Sequence, residues 1–186
     1  MEIQRAETAD LDDIEKIYDR IHDAEEQGQC TVGWIRAVYP TRKTAEDALN
    51  RKDLFAMKEN GQLVATAIIN QIQVAEYQKV TWKQRVKEDA VMVLHCLAVD
   101  PAQMRNGYGK AFIAFYETYA RQCGCTALRM DTNAKNTRAR KLYQTLSYEE
   151  VGIVPCVFNG IPNVQLVCLE KDIIPTSTSN QARITV

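Results

Sequence analysis

The sequence predicts a single α/β domain of the α+β type, in which helices and strands are mixed along the chain. Three observations support this prediction. Apolar residues recur at helical spacing near the N-terminus, Asn60-Gly61 separates two strand-like runs, and a nearly continuous apolar run covers residues 91–99. Hydrophobic residues make up 46% of the 186 residues and charged residues 25%, which is typical of one globular domain with a sizeable core.

The first half of the chain predicts a strand, two helices and a β-hairpin. Ile3 begins a short strand, and Thr8-Ala9-Asp10 supplies the N-cap of a helix whose apolar residues recur between 11 and 21. Pro40-Thr41 caps a second helix. Two antiparallel strands then flank Asn60-Gly61, because this pair favours a two-residue hairpin turn.

The second half predicts a buried strand, a glycine-containing loop and a helix, in that order. The strand covers Val91 to Val99 and ends at Asp100-Pro101, and the helix that follows the loop ends at Gly124. The remaining predicted elements are a strand at 126–130, a helix capped by Asn136, and a hairpin with arms 151–158 and 163–169 joined across Asn159-Gly160.

Charge and cysteine content narrow the class of function. The formal charge is -1, so no whole-chain field attracts nucleic acid or a membrane surface, and no run approaches the ~20 apolar residues that span a bilayer. The six cysteines are scattered, which favours free thiols in a reducing compartment and a cytoplasmic protein. Cys123-Gly124-Cys125 lacks the spacing and the second pair of a zinc site, so we expect no metal.

The segment from Met104 to Lys110 has the features of a phosphate-binding loop. Gly107 and Gly109 let the backbone approach an anion, and the free N–H groups of the following helix attract it. An ordinary strand-to-helix turn is the alternative for an isolated G-x-G pattern. Ala111 stands where a Walker loop has a hydroxyl residue, which disfavours a magnesium-nucleotide site. Phe112 stands where a dinucleotide-binding fingerprint has its third small residue, which disfavours that site as well.

These motifs resemble those of the GNAT superfamily of acyl-CoA-dependent acetyltransferases. Met104 to Gly109 matches the R/Q-x-x-G-x-G/A loop of the family except at its first position, and Leu97 to Pro101 resembles the strand end before that loop. Asn136 to Tyr143 is similar to the family's N-x-x-A-x-x-L-Y helix, and Ser147-Tyr148 stands where Gly-Phe is usual. The element order from Ile3 to Leu169 agrees with the family's fold.

The resemblance implies a GNAT-like domain over residues 1–172, followed by a polar tail at 173–186. Its mixed, mostly antiparallel sheet has about seven strands and about four flanking helices. The central strands splay apart, and the cleft between them holds the pantetheine arm of acetyl-CoA, the implied co-substrate. An arm with amide groups can pair with an exposed strand edge.

The resemblance also assigns residues to the cofactor. Main-chain N–H groups are expected to bind the pyrophosphate, so the change to methionine at the first loop position should leave binding intact. Asn136 is also a favoured N-cap residue, and both roles are compatible. The implied contacts are Leu97, Ala98, Val99, Met104, Arg105, Asn106, Gly107, Tyr108, Gly109, Lys110, Asn136 and Tyr143.

The chemical step requires an acid, a base and an oxyanion donor. Tyr143 matches the general-acid tyrosine of the family, with core packing as the alternative, and the Leu97 amide is the implied oxyanion donor. We expect His95 to be the base, because it shares strand parity with Val93 and Leu97 and its ordinary pKa is near neutrality. A hydrogen-bonded structural histidine and a substrate contact are the alternatives.

The implied function is transfer of an acetyl group from acetyl-CoA to a primary amine of a small molecule or peptide. A catalytically inactive CoA-binding sensor is the alternative. The resemblance and the C-terminal hairpin also suggest a homodimer, with no nucleic-acid or membrane partner. Acidic and aromatic side chains that could recognise the amine are Asp23, Glu25, Glu26, Trp34, Tyr39, Tyr77 and Trp82.

Overall fold

The computed structural model describes residues 1–104 and 106–173. Most of the tail predicted at 173–186 therefore lies outside the described residues. The described chain forms seven strands and four α-helices. The strands are β1 Glu2–Arg5, β2 Leu54–Glu59, β3 Gln62–Asn70, β4 Val91–Val99, β5 Ala127–Asn133, β6 Glu149–Phe158 and β7 Ile161–Asp172. The helices are α1 Leu11–Glu26, α2 Arg42–Arg51, α3 Tyr108–Gln122 and α4 Thr137–Thr145.

All seven strands belong to one sheet in the order β1-β2-β3-β4-β5-β7-β6. Only β4 and β5 run parallel, and the other neighbours are antiparallel. The predicted mixed, mostly antiparallel sheet with four helices is confirmed. The chain crosses from β4 to β5 through α3, as a parallel pair requires.

Helices cover both faces of this sheet. The residues of β2 alternate between two cores: Leu54 and Ala56 pack with α1 and α2, whereas Phe55 and Met57 pack with α3 and α4. This alternation follows from the period of two along a strand. No helix in the described part of the chain is long and apolar enough to cross a bilayer.

The local signals mostly give the expected elements. Asn60 and Gly61 have φ values of 51° and 78°, as a tight hairpin turn needs. The Thr41 N–H donates to Thr44 Oγ1 at 3.0 Å at the start of α2. Thr8–Asp10, however, forms a short 3₁₀ turn before α1, with the Glu7 N–H donating to the Asp10 carboxylate at 2.9 Å. The residues predicted to cap α1 therefore form an additional 3₁₀ turn in front of it.

The central strands separate where the family resemblance implied a cleft. β4 pairs with β5 only from Val91 to Leu94, opposite Ala127 to Met130. On its other side, β4 has a β-bulge: His95 pairs with Ile68 and Ala98 with Thr66, so two residues of β4 stand opposite one of β3. A bulge bends its strand and increases its twist, which directs the end of β4 away from β5.

The bulge also overturns the predicted side-chain parity of β4. Cys96 adopts a φ of 51° within it. Leu97 consequently joins the core cluster that contains Met92 and Leu94, whereas Val93 packs in the cluster on the opposite face. The expectation that His95, Val93 and Leu97 share a face is wrong, because the inserted residue reverses the alternation.

The segment between β3 and β4 is held by a buried ion pair. Arg129 and Glu170 are 6% and 3% exposed, and their side chains lie 3.3 Å apart. Trp82 stacks on the Arg129 guanidinium at 4.0 Å, and the Glu170 carboxylate accepts from the Lys83 and Gln84 N–H groups at 2.9 and 3.1 Å. Trp82 thus has a structural role on the hairpin side of the sheet.

Candidate active site

The start of α3 is arranged to bind an anion. Gly107 precedes it with a φ of 80°, a conformation that favours glycine. The first backbone bond of the helix runs from the Ala111 N–H to the Gly107 carbonyl at 3.0 Å. The N–H groups of Tyr108, Gly109 and Lys110 therefore have no acceptor in the helix and are available to a phosphate.

Gly109 lies where α3, α4 and the end of β4 meet. A Cβ at this position would lie 3.4 Å from Leu142 Cδ2 on α4 and 3.8 Å from Val99 Cγ2. These are ordinary van der Waals distances, so the first turn of α3 lies against both α4 and the end of β4, and packing alone does not require glycine here. Two of the recognised motifs are in direct contact as a result.

The loop between β4 and α3 is fixed at its base by Asp100. This carboxylate is 2% exposed, accepts two bonds from Arg20 at 2.9 and 2.8 Å, and accepts the Ala102 N–H at 3.0 Å. Further along, the Arg138 guanidinium contacts Met104 Sδ at 2.6 Å. A positive charge from α4 therefore lies beside the loop position where the family usually has Arg or Gln.

Two of the described loop residues contribute little to packing. Asn106 and Lys110 are exposed, and Asn106 makes a long bond to Gln103 at 3.5 Å. Arg105 lies outside the described residues.

A cavity of about 80 Å³ occupies the gap between β4 and β5. Leu97, Asn136 and Tyr143, three of the predicted site residues, line it. Aromatic and aliphatic side chains from the α1–α2 loop and the C-terminal hairpin form the opposite wall. The full lining is Val32, Gly33, Trp34, Tyr39, Cys96, Leu97, Asp131, Thr132, Asn133, Asn136, Tyr143, Phe158, Ile161, Val164 and Leu166.

Tyr143 belongs to both the core and the cavity. It is 7% exposed, and its ring centroid lies 6.2 Å from that of Tyr148. Burial, and then the nearby charge of Asp131, raise the pKa of its hydroxyl well above the usual value. Tyr143 therefore keeps its proton at neutral pH, as a proton donor must.

Asn136 also combines two roles. Its side-chain oxygen accepts the Ala139 N–H at 3.1 Å, which caps α4, and the residue lines the cavity. The N-cap interpretation is confirmed. The contact with the cofactor arm stays a prediction.

Asp131 is the site residue that the sequence analysis missed. It lies on β5 immediately after Met130, the last residue paired with β4, and it accepts the Tyr77 hydroxyl at 2.8 Å. Burial raises the pKa of the Asp131 carboxyl to about 7, the Tyr77 bond lowers it, and the charge of Glu76 raises it further. A carboxylate with this pKa is a competent general base near neutral pH.

His95, the residue we expected to be the base, lies elsewhere. Its Nε2 is 3.0 Å from the Ile72 carbonyl and 3.2 Å from the Asn70 side-chain oxygen, so Nε2 carries the proton and donates it. Burial lowers the pKa of His95 to about 4. His95 is absent from the cavity lining in the described residues, and the structure does not bring it together with Tyr143.

The α1–α2 loop supplies two of the predicted aromatic residues. Trp34 and Tyr39 line the cavity, with ring centroids 6.1 Å apart and planes nearly perpendicular. The Glu25 carboxylate fixes this loop by accepting the Val32 and Gly33 N–H groups at 2.6 and 3.0 Å. Glu25 therefore positions the wall and does not line the cavity.

Other acceptor candidates have structural partners. Asp23 and Glu26 form ion pairs with Arg36. Tyr77 is buried behind the cavity, where it acts on Asp131. Of the aromatic and acidic candidates, only Trp34 and Tyr39 face the cavity directly.

Comparison with known proteins agrees with this geometry. The family model described as acetyltransferase (GNAT) family matches residues 11–148, which is most of the chain. The chain belongs to the GNAT acetyltransferase family. The GNAT protein is therefore an acyltransferase, and the expected family and fold are confirmed. No curated protein matches the sequence at a significant level.

Solved structures share the GNAT fold at low sequence identity. A GNAT acetyltransferase from Streptococcus agalactiae is 19% identical, with a TM-score of 0.77 over 93% of this chain and 95% of its own. The ribosomal-protein-S18-alanine N-acetyltransferase from Escherichia coli is 20% identical, with a TM-score of 0.64 over 96% and 97%. The protein yncA from Salmonella typhimurium, solved with its cofactor acetyl-CoA, is 16% identical, with a TM-score of 0.64 over 97% and 98%.

Proposed function

We propose that this GNAT protein transfers an acetyl group directly from acetyl-CoA to a primary amine of a small molecule or peptide. One observation carries the proposal: Tyr143 and Asp131 line one cavity, in the gap where β4 and β5 separate. A related fold solved with acetyl-CoA supports the choice of donor, and one that acts on a protein alanine supports an amine acceptor.

The residues of the gap fit the donor molecule. The free N–H groups at the start of α3 suit its pyrophosphate, with Lys110 and Arg138 as nearby positive charges. Beyond Leu94 the edge of β4 has no partner from β5 among the described strands, so the main chain of Leu97, Ala98 and Val99 can pair with pantetheine amides. Bound acetyl-CoA supplies an activated thioester carbon.

The side chains then move protons. Asp131 accepts a proton from the acceptor ammonium and leaves a neutral amine, which forms the new C–N bond. The Leu97 N–H stabilises the negative charge that develops on the carbonyl oxygen. Tyr143 donates its proton to the sulfur as the C–S bond breaks, and its phenolate then takes the second proton that the nitrogen loses as it becomes an amide. This assignment replaces His95 with Asp131, because His95 is a weak base and already donates its Nε2 proton to a carbonyl.

A CoA-binding sensor is the second candidate, because the fold and phosphate loop do not themselves require turnover. The presence of an acid and a base at one cavity favours the enzyme. A sensor has no need for a carboxyl whose pKa is raised to about 7 beside a protonated tyrosine.

We place the protein in the cytoplasm as a homodimer. The six cysteines are free thiols in the described structure, which suits a reducing compartment. β6 is one of the two edge strands of the sheet, and it exposes Ile153 and Val157 by 50% and 64%. Edge strands with exposed apolar side chains favour association.

Acetyl-CoA labelled in its acetyl group tests the proposal. The protein is incubated with the labelled donor and a mixture of primary amines, and both free CoA thiol and labelled product are measured. We expect the label to appear in an amine in equal amount to the released thiol. Binding of acetyl-CoA without thiol release would instead identify a sensor.

A further inference from the structure

We propose that the acceptor is a small apolar amine with a single amino group and no carboxylate near the reacting nitrogen. This inference rests on the proposed acetyl transfer and names the class of acceptor for the same site. It follows from the shape, lining and charge of the acceptor side of the cavity.

The shape limits the size of the acceptor. The tip of the β6–β7 hairpin reaches the α1–α2 loop, where a Cβ at Gly160 would lie only 3.2 Å from Val38 Cγ1. Phe158 and Ile161, on either side of the hairpin turn, line the cavity below this contact. The hairpin and the loop therefore meet above a cavity of about 80 Å³, which suits a small molecule better than a polymer.

The lining on this side favours an apolar body. Trp34 and Phe158 present aromatic surface, and the aliphatic side chains are Ile161, Val164 and Leu166. A hydrocarbon or aromatic group gains by leaving water for such a wall.

The charge of the cavity selects against acids. Asp131 is the one charged side chain in its lining, as far as the described residues show, and no lysine, arginine or histidine lines it. Glu76 adds negative potential, since its charge raises the pKa of Asp131. Arg36, the cation on the α1–α2 loop, is paired with Asp23 and Glu26. A carboxylate on the acceptor would be desolvated beside a negative charge without a counter-ion.

The charges of the cavity lining also select against diamines and polyamines. Asp131 can neutralise one ammonium group, and the wall beyond it is apolar. A second ammonium buried against that wall would have no carboxylate partner among the described lining residues. A single amino group therefore fits best.

Two matched pairs of acceptors test the inference. Phenylethylamine and phenylalanine differ by one carboxylate, and butylamine and putrescine differ by one amine. We expect kcat/KM to be at least ~100-fold higher for the first member of each pair, because misplaced like or unpaired charges cost several kcal/mol in a buried site. A peptide with N-terminal alanine is included, and we expect it to be a poorer acceptor than phenylethylamine.

A charge-insertion variant tests the cause of the preference. Phe158→Lys places a cation at the cavity wall and should narrow the preference for phenylethylamine over phenylalanine at least ~10-fold. Gln165→Lys is the control, because Gln165 lies between two lining residues on β7 but is exposed on the other face. The control should leave the preference unchanged. Equal effects of the two variants would show that overall charge, and not the cavity, sets the preference, and would overturn the inference.

The outcomes separate the two proposals. Higher kcat/KM for phenylalanine, putrescine or the peptide would overturn the inference and leave the acetyltransferase intact. If no acceptor receives the label although acetyl-CoA binds, the proposed function itself fails, and the inference with it.

Discussion

Asp131→Asn removes the proposed base and little else. Asparagine has nearly the same shape and retains an oxygen that can accept the Tyr77 hydroxyl, which lies 2.8 Å from the carboxylate. Because the pKa of Asp131 is about 7, we expect kcat/KM of the wild-type protein to rise with pH through a limb near 7. The variant should lack this limb and be slower by ~10²–10⁴-fold above it.

Substitutions of two neighbours of Asp131 should move this limb of the pH profile in opposite directions. Tyr77→Phe removes a hydrogen bond that lowers the pKa of Asp131, so the limb should move to higher pH. Glu76→Gln removes a like charge that raises this pKa, so the limb should move to lower pH. The assay measures kcat/KM for one amine at a series of pH values, with the release of CoA thiol as the readout. A structural role alone would lower activity at every pH without these shifts.

The same pKa gives an independent expectation for stability. The carboxyl has an ordinary pKa of 3.8 and a folded pKa of about 7, a difference worth up to about 4 kcal/mol. Between these values the folded protein keeps a proton that the unfolded chain releases, so this group's contribution to stability falls as pH rises from about 4 to about 7. Asp131→Asn does not ionise, and should therefore be more stable than wild type at pH 8.

Urea unfolding at pH 4.5 and pH 8 measures this difference. We expect the free energies of unfolding to differ little at the lower pH, and the variant to gain stability over wild type at the higher pH. An unchanged pH limb in Asp131→Asn would refute the assignment of the base. A variant less stable than wild type at pH 8 would refute the raised pKa.

Three further predictions concern the loop, the buried ion pair and assembly. Gly107→Val should abolish the rise in Tm that CoA produces, whereas the control Gly61→Val should not. Both glycines have φ near 80° and open space at the Cβ position, so valine strains the backbone by a similar free energy at each position. Arg129→Met should cost ~3–5 kcal/mol in urea unfolding because it leaves Glu170 buried without its partner, and adding Glu170→Gln should recover part of the loss. Light scattering should give the mass of a dimer, and a monomer at working concentration would contradict the proposed assembly.

Much of the fold was predictable because its signals are local. The Asn60-Gly61 turn, the apolar run of β4 and the Asn136 cap each depend on a few neighbouring residues. The GNAT motifs then gave the sheet and the gap between its central strands. The predicted strands of the final hairpin differ from β6 and β7 by only two or three residues at their ends, because strand ends carry weak sequence signals.

The base was not predictable for two physical reasons. Strand parity fails after the bulge at Cys96, whose positive φ has no marker in the sequence because the residue is not glycine. The predicted strand at 126–130 stopped one residue before Asp131, although β5 continues to Asn133. The pKa of Asp131 depends on Tyr77, 54 residues away along the chain, and such a contact requires the fold.

The acceptor wall shows the same limit. Trp34 and Trp82 are both aromatic residues in predicted loops, so the sequence makes them equally plausible as residues that contact the acceptor. Trp34 reaches the cavity because Glu25 fixes its loop, whereas Trp82 stacks on a buried arginine at 4.0 Å. Both positions are set by charged partners outside the local pattern: Glu25 on the preceding helix for Trp34, and the distant Arg129 for Trp82.

The single-turnover rate of Tyr143→Phe tests the central claim most directly. Phenylalanine preserves the packing of Tyr143 and removes the hydroxyl on the cavity wall. Tyr148→Phe is the matched control, because Tyr148 is a buried neighbour whose hydroxyl contacts Glu117 and not the cavity. With calorimetry showing unchanged affinity for CoA, we predict a rate ~10²–10⁴-fold lower for Tyr143→Phe and an unchanged rate for the control. A wild-type rate in Tyr143→Phe would contradict proton donation by this residue.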